Sequence, residues 1–577
     1  MFPWLLALLP AAFYLTQLGS YGRLEYDDYY GILPQMAEGA RYTASPWRWL
    51  AVRSNEHSVV LPALAFSVNA SITGGDNRVL SALAVTLLWC ASAFLWRSLP
   101  TAFSGSRVLR VAGPLLLSGL ALSPAGSYSM VMGFSGVIWF MSIAFSVVAI
   151  VALRRGVRSE SAIPLAAVFV AGWASVLSYG AGLFVWPALL AGALMYRMPR
   201  RRFAALCFGA VVPFVFAVST YVRPAGHPGL SVASPRLLVE FVAVYLGSYF
   251  VANPWAAGIV GLAGLGTAAL LAGHYVRAVD SETKDELIPW VMLGLYGLLN
   301  AAGTAVARSA LGGARSSRYA PVAALFWMAL LVAGLTVASR GSTPRRRSPA
   351  VVGLAMVLSL VVPLAATWWR GLPIFAGWVE RAAWQPVAEL ALVDGVEDWD
   401  VLETLSVAPR EVLARRELLA RLGHLPFGRP ASGAMSSLGL REDAGASPCG
   451  SPAATVSSIH PVGGGTVRVE GVLERDGPAP PEMAIVDGHG GVRGVVRFVG
   501  PLPFPARLAM LGSPPRRWAG YAQRVAPDEL LRIVSRASED RARPCAASGS
   551  WRASDRPAGA SFVGSWKQPL GLRQSTP

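Results

Sequence analysis

Carboxylate, imidazole and aromatic side chains are concentrated in one stretch near the start of the chain, residues 23–57. The residues there that could carry chemistry are Asp27, Asp28, Asn55, Glu56 and His57. Acids beside aromatic rings at a membrane surface suit a site that binds a polar substrate and moves a proton. The alternative interpretation is a solvated loop whose aromatic rings lie at the level of the lipid headgroups.

Three arginines form a second cluster, at Arg308, Arg315 and Arg318, in a segment that also contains two adjacent glycines. A guanidinium group can bind a phosphate group through two parallel hydrogen bonds. The cluster therefore predicts a site for an anionic ligand. The alternative is that these arginines only bind the lipid headgroups of the nearby leaflet.

The composition is that of a membrane protein. Of 577 residues, 54% are hydrophobic, and charge-free runs recur along the first two thirds of the chain. Apolar runs of about 20 residues are long enough to span a bilayer as helices. The net charge is +17, and nearly all of the positive side chains are arginines. Most of these arginines lie in short loops between the apolar runs. There they act as topology signals, so we do not expect nucleic acid as a partner.

The sequence predicts an all-α polytopic membrane part with about eleven transmembrane helices. Two shorter apolar segments, 59–72 and 237–250, are predicted to be interfacial or re-entrant helices. Polar and glycine-containing breaks at 123–127 and 178–182 each divide a long apolar run into two spans. The predicted spans lie within 2–18, 79–96, 111–153, 161–196, 203–222, 255–273, 287–307, 319–339 and 349–369.

The distribution of arginines predicts the orientation of these spans. Loops 97–110, 154–160, 197–202, 274–286 and 340–347 are assigned to the cytoplasm, because basic residues favour that side. Stretch 23–57 and everything after residue 369 then lie outside. The arginines at 308–318 also lie outside, against the usual bias, and an anionic ligand on the outer face would explain them.

The composition also predicts the domain organisation. Residues 1–370 form the transmembrane domain with its first outer loop at 21–58, and 371–430 form juxtamembrane amphipathic helices. Short alternating runs and glycine turns predict an extracytoplasmic, β-sandwich-like domain at 431–552 with one helix at 527–537. Residues 553–577 are predicted to be a disordered tail.

Cys449 and Cys545 lie in the β-rich region. The predicted orientation places both outside the cytoplasm, where disulfide bonds form. We therefore expect these two cysteines to be paired.

The order of a first span, an outer loop with paired acids, many further spans and an external C-terminal domain resembles the GT-C class of integral-membrane glycosyltransferases. This class includes protein O-mannosyltransferases, aminoarabinose transferases and arabinofuranosyltransferases. The matching motifs are Tyr26-Asp27-Asp28-Tyr29, Ser54-Asn55-Glu56-His57 and Ser317-Arg318-Tyr319. The resemblance implies transfer of a sugar from a polyprenyl-phosphate donor on the outer face of the bacterial cytoplasmic membrane. The expected acceptor is an envelope glycan, lipid or protein.

The resemblance also implies roles for these residues. Asp28 or Asp27 would be the base that takes the acceptor proton, with Asp28 preferred, and the other would orient it or bind a divalent cation such as Mg²⁺ or Mn²⁺. Asn55, Glu56 and His57 could hold the acceptor or a metal, although a histidine in such a place is often only a helix cap or a hydrogen-bond partner. Arg308, Arg315 and Arg318 would bind the donor phosphate.

Other functions remain open from the sequence. A polymerase or ligase of lipid-linked envelope polysaccharide is the nearest enzymatic alternative, although its chemistry would normally lie in a later outer loop. A transporter would place ionisable groups within broken spans, and few are found there. A non-catalytic scaffold would not need the acidic pair.

Overall fold

The structure is a computed structural model with two compact units. It describes residues 2–25, 52–54, 57–101, 103, 107–159, 161–221, 234–278, 280–309, 313–340, 349–406, 408–427, 454–473, 482–489, 491–499, 516–526, 528–536 and 545–552. The first unit contains Met1–Leu18, Gly31–Ser67 and Val79–Phe375. The second contains Gly19–Tyr30, Val68–Arg78 and Ala376–Pro577.

Helices make up most of the described chain up to residue 383. They are α1 (Phe2–Thr16), α2 (Val60–Thr73), α3 (Asn77–Trp96), α4 (Arg107–Ala121), α5 (Ser127–Val131), α6 (Gly133–Arg158), α7 (Ile163–Ser178), α8 (Val185–Met195), α9 (Arg200–Ser219), α10 (Pro235–Gly247), α11 (Pro254–Ala278), α12 (Ser281–Arg308), α13 (Ala320–Arg340) and α14 (Pro349–Ala383). A two-stranded hairpin, β1 (Arg53–Ser54) and β2 (His57–Ser58), precedes α2.

Seven helical segments of the described chain are long and apolar enough to cross a membrane, and four further apolar helices are shorter. The predicted helical membrane part is therefore confirmed. A helix coincides with every predicted span, and with both short segments at 59–72 and 237–250. The number of helices that cross the bilayer stays a prediction.

The two predicted breaks have clear local causes. At the first, Pro124 begins a 3₁₀ turn, and the Ser123 hydroxyl caps it by accepting a hydrogen bond from the Ala125 amide at 3.3 Å. At the second, α7 ends at Ser178, and the extended Tyr179 leads into the 3₁₀ turn Gly180–Phe184. A proline and closely spaced glycines thus divide two long apolar runs at the predicted places.

Close backbone contact holds α10 against α11. A Cβ atom on Gly247 would lie 1.8 Å from the Ala257 carbonyl oxygen, and one on Gly261 would lie 1.8 Å from that of Ala243. Only glycine fits at both positions, as is typical of helices that pack tightly in membranes.

The second unit combines short helices with a β-sheet. The helices are α15 (Gln385–Asp394), α16 (Trp399–Leu402), α17 (Pro409–Ala414) and α18 (Arg416–Arg421). The strands are β3 (Ala454–Gly463), β4 (Thr466–Leu473), β5 (Glu482–Asp487), β6 (Val492–Phe498), β7 (Arg516–Ala522), β8 (Leu530–Arg536) and β9 (Cys545–Arg552). They form one antiparallel sheet in the order β3-β4-β7-β6-β5-β8-β9.

Alternating apolar residues build the core of this sheet. Trp518 on β7 lies opposite Gly471 on β4, and a Cβ atom there would lie 2.2 Å from the indole ring. The missing side chain leaves room for the tryptophan, which is fully buried. The rest of the core is aliphatic: Ile459, Val469, Leu473, Met483, Ile485, Val496, Ala522, Leu531 and Ile533.

The predicted β-rich region is confirmed, and its arrangement as a sandwich stays a prediction. The predicted helix at 527–537 is wrong, because Leu530–Arg536 is strand β8. This strand pairs with β5 on one side and β9 on the other. Long-range pairing in the sheet therefore determines the conformation of a segment whose composition suits a helix.

Candidate functional site

A β-hairpin fixes the position of His57. Ser54 pairs with His57 and Arg53 with Ser58, and the Val59 amide donates to the Val52 carbonyl at 3.2 Å. His57 therefore begins the returning strand of a tight hairpin. The residue is partly exposed.

The imidazole of His57 packs on the turn that follows α7. Its ring centroid lies 4.2 Å from that of Tyr179 in an edge-to-face arrangement. A Cβ atom on Gly180 would lie 2.4 Å from His57 Nδ1. Gly180 therefore permits the close approach of the histidine to the turn.

Further aromatic rings extend from Tyr179. Trp139 of α6 lies 4.5 Å from Tyr179 and 6.1 Å from Tyr319, measured between ring centroids. Tyr319 stacks on Tyr245 of α10 at 5.0 Å and an interplanar angle of 23°. We call His57, Tyr179, Trp139, Tyr319 and Tyr245 the aromatic cluster.

Arg318 lies beside this cluster. It directly precedes Tyr319, and its guanidinium carbon lies 5.5 Å from the centroid of the Tyr128 ring. Its Nε donates to the Ser316 hydroxyl at 3.1 Å. A guanidinium group that lies over an aromatic ring keeps its positive charge. Packed aromatic rings thus lead from His57 to Tyr319, the residue that directly follows Arg318.

The other predicted arginines are placed differently. Arg315 is exposed and donates to the Ala252 carbonyl at 3.2 Å. Arg308 is the last residue of α12. Sequence reasoning missed Arg370, which follows the last predicted span. Burial and the neighbouring charge of Arg315 lower the pKa of Arg370 to about 10.

An arginine whose pKa is lowered by burial and by the charge of a second arginine indicates a place for an anion. The Arg370 Nε atom is buried and has no hydrogen-bond partner among the described residues. Tyr249 is an electrostatic neighbour of Arg370, and its hydroxyl donates to the Leu120 carbonyl at 2.5 Å. The signal in the sequence is weak, because Arg370 only ends an apolar run.

An apolar cavity of about 410 Å³ lies between α1, α4 and α14. Trp368 lines it and donates from its indole nitrogen to the Gly119 carbonyl at 3.0 Å. Trp368 is two residues before Arg370 in the sequence, and Gly119 directly precedes Leu120. The other lining residues are Leu9, Pro10, Phe13, Ala112, Leu115, Leu116, Val361, Leu364 and Ala365.

Several predicted site residues lie outside the described residues: Asp27, Asp28, Asn55, Glu56 and Cys449. For Cys545 the structure gives only the strand β9. The roles predicted for Asp27, Asp28, Asn55 and Glu56 and the predicted disulfide bond therefore stay predictions.

Acidic residues are also concentrated at 280–286, where the described ones have structural roles. Asp280 caps α12 by accepting a hydrogen bond from the Thr283 amide at 2.8 Å. Asp285 pairs with Arg158, and buried Glu286 accepts from the Thr101 amide at 3.2 Å. These acids already have protein partners, which argues against a binding site there.

A metal site is not apparent in the described part of the chain. No group of three or more His, Cys, Asp or Glu side chains there could hold a metal ion. Asp27 and Asp28, the predicted ligands for Mg²⁺ or Mn²⁺, lie outside that part. The divalent cation stays a prediction.

Comparison with known proteins gives no family for this chain. The sequence matches no model of a protein family and no characterised protein. The types of residue at the site indicate what chemistry it can perform. An imidazole can hold or move a proton, aromatic faces can hold the C–H face of a sugar ring, and arginines can bind phosphate.

Proposed function

We propose that the protein is a membrane glycosyltransferase. It transfers a sugar from a polyprenyl-phosphate donor to an envelope glycan, lipid or protein on the outer face of the bacterial cytoplasmic membrane. The observation that carries this proposal is the aromatic cluster, whose packed rings lead from His57 to Tyr319, the residue next to Arg318.

The chemistry of a glycosyl phosphate fits this arrangement. A sugar ring has apolar C–H faces that pack on tyrosine and tryptophan, while its hydroxyl groups need hydrogen-bond partners such as an imidazole. Its phosphate group needs a cation, and a guanidinium group held over a ring supplies one.

A lipid-linked donor also needs a place for its tail. The apolar cavity beside Trp368 would accept isoprenoid units, since its lining is hydrocarbon and aromatic. Arg370 and Arg315, which interact electrostatically, supply positive charge for the phosphate group of an amphipathic ligand. We assign the donor to these residues together with Arg318.

In the proposed reaction the acceptor hydroxyl attacks the anomeric carbon of the donor sugar. Its proton passes to a carboxylate, and the polyprenyl phosphate leaves with the electron pair of the broken C–O bond. We assign the carboxylate to Asp28, with Asp27 orienting it. Arginines stabilise the charge that develops on the leaving phosphate. The role of the acids rests on the sequence.

The proposal is tested by supplying membranes that contain the full-length protein with labelled polyprenyl-phosphate sugars and scoring transfer to envelope fractions. Asp28→Asn keeps the size of the side chain but removes the base, and should lower turnover by about 10²-fold or more. Arg318→Ala should weaken donor binding, and Arg318→Lys should restore it only in part, because an ammonium group lacks the planar fork. Arg201→Ala is the matched control, since Arg201 is an exposed arginine in the first turn of α9.

The outcomes separate the alternatives. Full transfer activity in both Asp27→Asn and Asp28→Asn would reject the assignment of the base. If the wild-type protein transfers no sugar from any lipid-linked donor, a scaffold or a transporter becomes the better interpretation. Joining of lipid-linked glycans in place of single-sugar transfer would instead identify a polymerase or ligase.

A further inference from the structure

Arg370 lies where α14 touches the first break between the helices. It is followed by Gly371, and a Cβ atom on Gly371 would lie 2.2 Å from the Ala125 amide nitrogen and 2.3 Å from the Pro124 carbonyl carbon. The 3₁₀ turn Pro124–Gly126 therefore packs directly on the backbone of α14, because glycine has no side chain. This contact fixes the level of α14 against the turn, and with it the position from which the Arg370 side chain extends.

The segment after α10 relates Arg315 to Arg370. Arg315 donates to the Ala252 carbonyl at 3.2 Å, and Tyr249 of the same segment is an electrostatic neighbour of Arg370. Arg315 itself acts on Arg370 as a second positive charge. In the described part of the chain, no carboxylate is among the groups that act on Arg370. A ligand with two negative charges would offset the repulsion between the two guanidinium groups.

The apolar cavity is tied to the same place through two adjacent carbonyls. The Gly119 carbonyl accepts a hydrogen bond from the indole of Trp368, which lines the cavity, at 3.0 Å. The next carbonyl, that of Leu120, accepts from the Tyr249 hydroxyl at 2.5 Å. One side of this short stretch therefore belongs to the cavity, and the other belongs to the neighbour of Arg370.

The cavity is also open at the surface of the helices. Leu9 of α1 and Val361 of α14 line it, and they are 56% and 54% exposed. In a bilayer such an apolar surface contacts lipid chains, so a lipid tail can enter from the membrane. An open apolar cavity with two cations near it fits an amphipathic ligand that has a long chain and an anionic head.

We propose that this site binds the released polyprenyl phosphate more tightly than the donor, so that the protein is inhibited by its own lipid product. This inference rests on the proposed function. The donor phosphate is a diester with one negative charge. When the bond from the anomeric carbon to the phosphate oxygen breaks, the electron pair stays on that oxygen. The product is a monoester with a second pKa near about 6, and it carries nearly two negative charges at neutral pH. Two guanidinium groups match that charge better than they match the charge of the donor.

Direct binding tests this preference without any sugar. The probes are farnesyl phosphate, a monoester, and farnesyl methyl phosphate, a diester with the same chain. Each is offered to the full-length protein in phosphatidylcholine nanodiscs, with empty nanodiscs as the blank. At pH 8 the monoester should bind about tenfold more tightly, because it carries the second charge. Equal affinities at pH 8 would overturn the proposal.

The pH dependence of binding identifies the cause of the preference. At pH 5 the monoester has lost most of its second charge, so the two affinities should come within about twofold of each other. The groups that act on Arg370 are Arg315 and Tyr249, and neither they nor Arg370 titrate between pH 5 and pH 8. A tenfold preference that persists at pH 5 would overturn the match of charges.

Variants assign the preference to the two arginines. Arg315→Gln should lower the affinity for farnesyl phosphate to about that for the diester, and Arg370→Met should do the same. Arg201→Gln, at an exposed arginine of α9, is the matched control and should leave both affinities unchanged. Because Arg315 is exposed, its removal should not impair folding. An unchanged preference in Arg315→Gln would therefore overturn the proposal even if Arg370→Met fails to fold.

A phospholipid headgroup also offers a phosphate group, and competition separates the two sources. Dioctanoyl phosphatidylglycerol, a diester, should displace labelled farnesyl phosphate no better than farnesyl methyl phosphate does. Stronger displacement by phosphatidylglycerol would identify a phospholipid site and overturn the assignment to an isoprenoid monoester.

Transfer kinetics give the last measurement. Polyprenyl phosphate added to the transfer reaction should compete with the donor, with an inhibition constant about tenfold below the donor KM at pH 8. Arg315→Gln should raise the inhibition constant more than it raises KM. An inhibition constant equal to KM or above it would overturn product inhibition. Absence of transfer in the wild-type protein would reject both the proposed function and the inhibition, while the binding measurements would still decide whether the site prefers a monoester.

Discussion

Apart from Glu286 of the first unit, which accepts hydrogen bonds from Thr101, the two units bury polar groups in different ways. In the first unit, hydroxyl groups join α6 to α7: Ser175 bonds to the hydroxyls of Ser142 and Ser146 at 3.1 and 2.8 Å. In the second unit, full charges are buried: Arg468 pairs with Asp398, and its Nε donates to Glu470 at 2.9 Å. The cost of a charge in hydrocarbon explains the difference, since neutral groups can be satisfied there at lower cost.

This difference separates charges that stabilise the fold from a charge that indicates a binding site. In the second unit, the described buried charges have opposite charges beside them. Stabilisation of the fold is therefore enough to explain these ion pairs. In the first unit, Arg370 has Arg315 as a charged neighbour, and its buried Nε lacks a hydrogen-bond partner in the described chain. Stability of the fold does not explain a buried cation beside a second cation. Binding of an anion is the simplest function that does.

The largest expected effect is the loss of the buried charge network. Arg468→Met leaves Asp398 and Glu470 buried without their cation, which should lower the free energy of unfolding by about 3–5 kcal/mol. The measurement is pulse proteolysis of the full-length protein in urea, scored on fragments of the sheet. Arg493→Met is the control, because Arg493 pairs with Asp487 and Glu529 but its side chain is 33% exposed. It should cost at most about 1 kcal/mol.

Equal losses in Arg468→Met and Arg493→Met would contradict the role of burial. The comparison between the units would then lose its physical basis, since partly exposed ion pairs would stabilise the sheet as strongly as buried ones.

The helices of the first unit were predictable because they depend on local patterns. Apolar runs, the proline at 124 and the glycines at 180 and 182 act over a few residues. The conformation of 530–536 was not predictable in this way, because β5 and β9 impose it from a distance. Runs of apolar residues indicate helices, but not the partners that turn a short segment into a strand.

The candidate site likewise contains residues that the sequence identified and residues that only the structure reveals. His57 and Arg318 were identified by residue type and by the predicted side of the membrane, and the structure adds the rings that lead from His57 to Tyr319, the neighbour of Arg318. Arg370 gave no clear signal in the sequence, since its electrostatic neighbour Arg315 is more than 50 residues away. No spacing rule relates residues so far apart.

A smaller effect is expected inside the first unit. Ser175→Ala removes hydrogen bonds to Ser142 and Ser146, and also the bond that Ser175 donates to the Ser142 carbonyl at 2.8 Å. It should lower stability by about 0.6–1.7 kcal/mol, the range for hydrogen bonds between membrane helices. Unfolding in mixed micelles measures it. Thr86→Ala is the control, because Thr86 is exposed and, among the described residues, its hydroxyl donates within α3, to the Ala82 carbonyl.

A loss above about 3 kcal/mol in Ser175→Ala would place this neutral contact on the level of the buried ion pairs. That result would contradict the distinction between the two units.

The smallest expected effect is the pH dependence contributed by His460 of the second unit. Burial, and next the charge of Arg468, lower the pKa of His460 below its usual value of 6.5, although Glu470, Asp398 and Asp400 oppose this. In the unfolded chain His460 binds a proton near pH 6.5, whereas in the folded chain it does so only at lower pH. The unfolded state therefore binds more protons in that window, and stability should fall as the pH drops below about 6.5.

The test compares unfolding of the full-length protein by pulse proteolysis between pH 7.5 and pH 5. His460→Gln should make the fall in stability of the sheet less steep, while His489→Gln, a change at an exposed histidine of the same sheet, should leave it as in the wild type. Burial also lowers the pKa of His424, so part of the dependence should remain. If His460→Gln leaves the slope unchanged, or makes it steeper, His460 stays charged in the folded unit. The network around Arg468 would then contain a further cation, and its two buried carboxylates would be more fully neutralised than the comparison assumes.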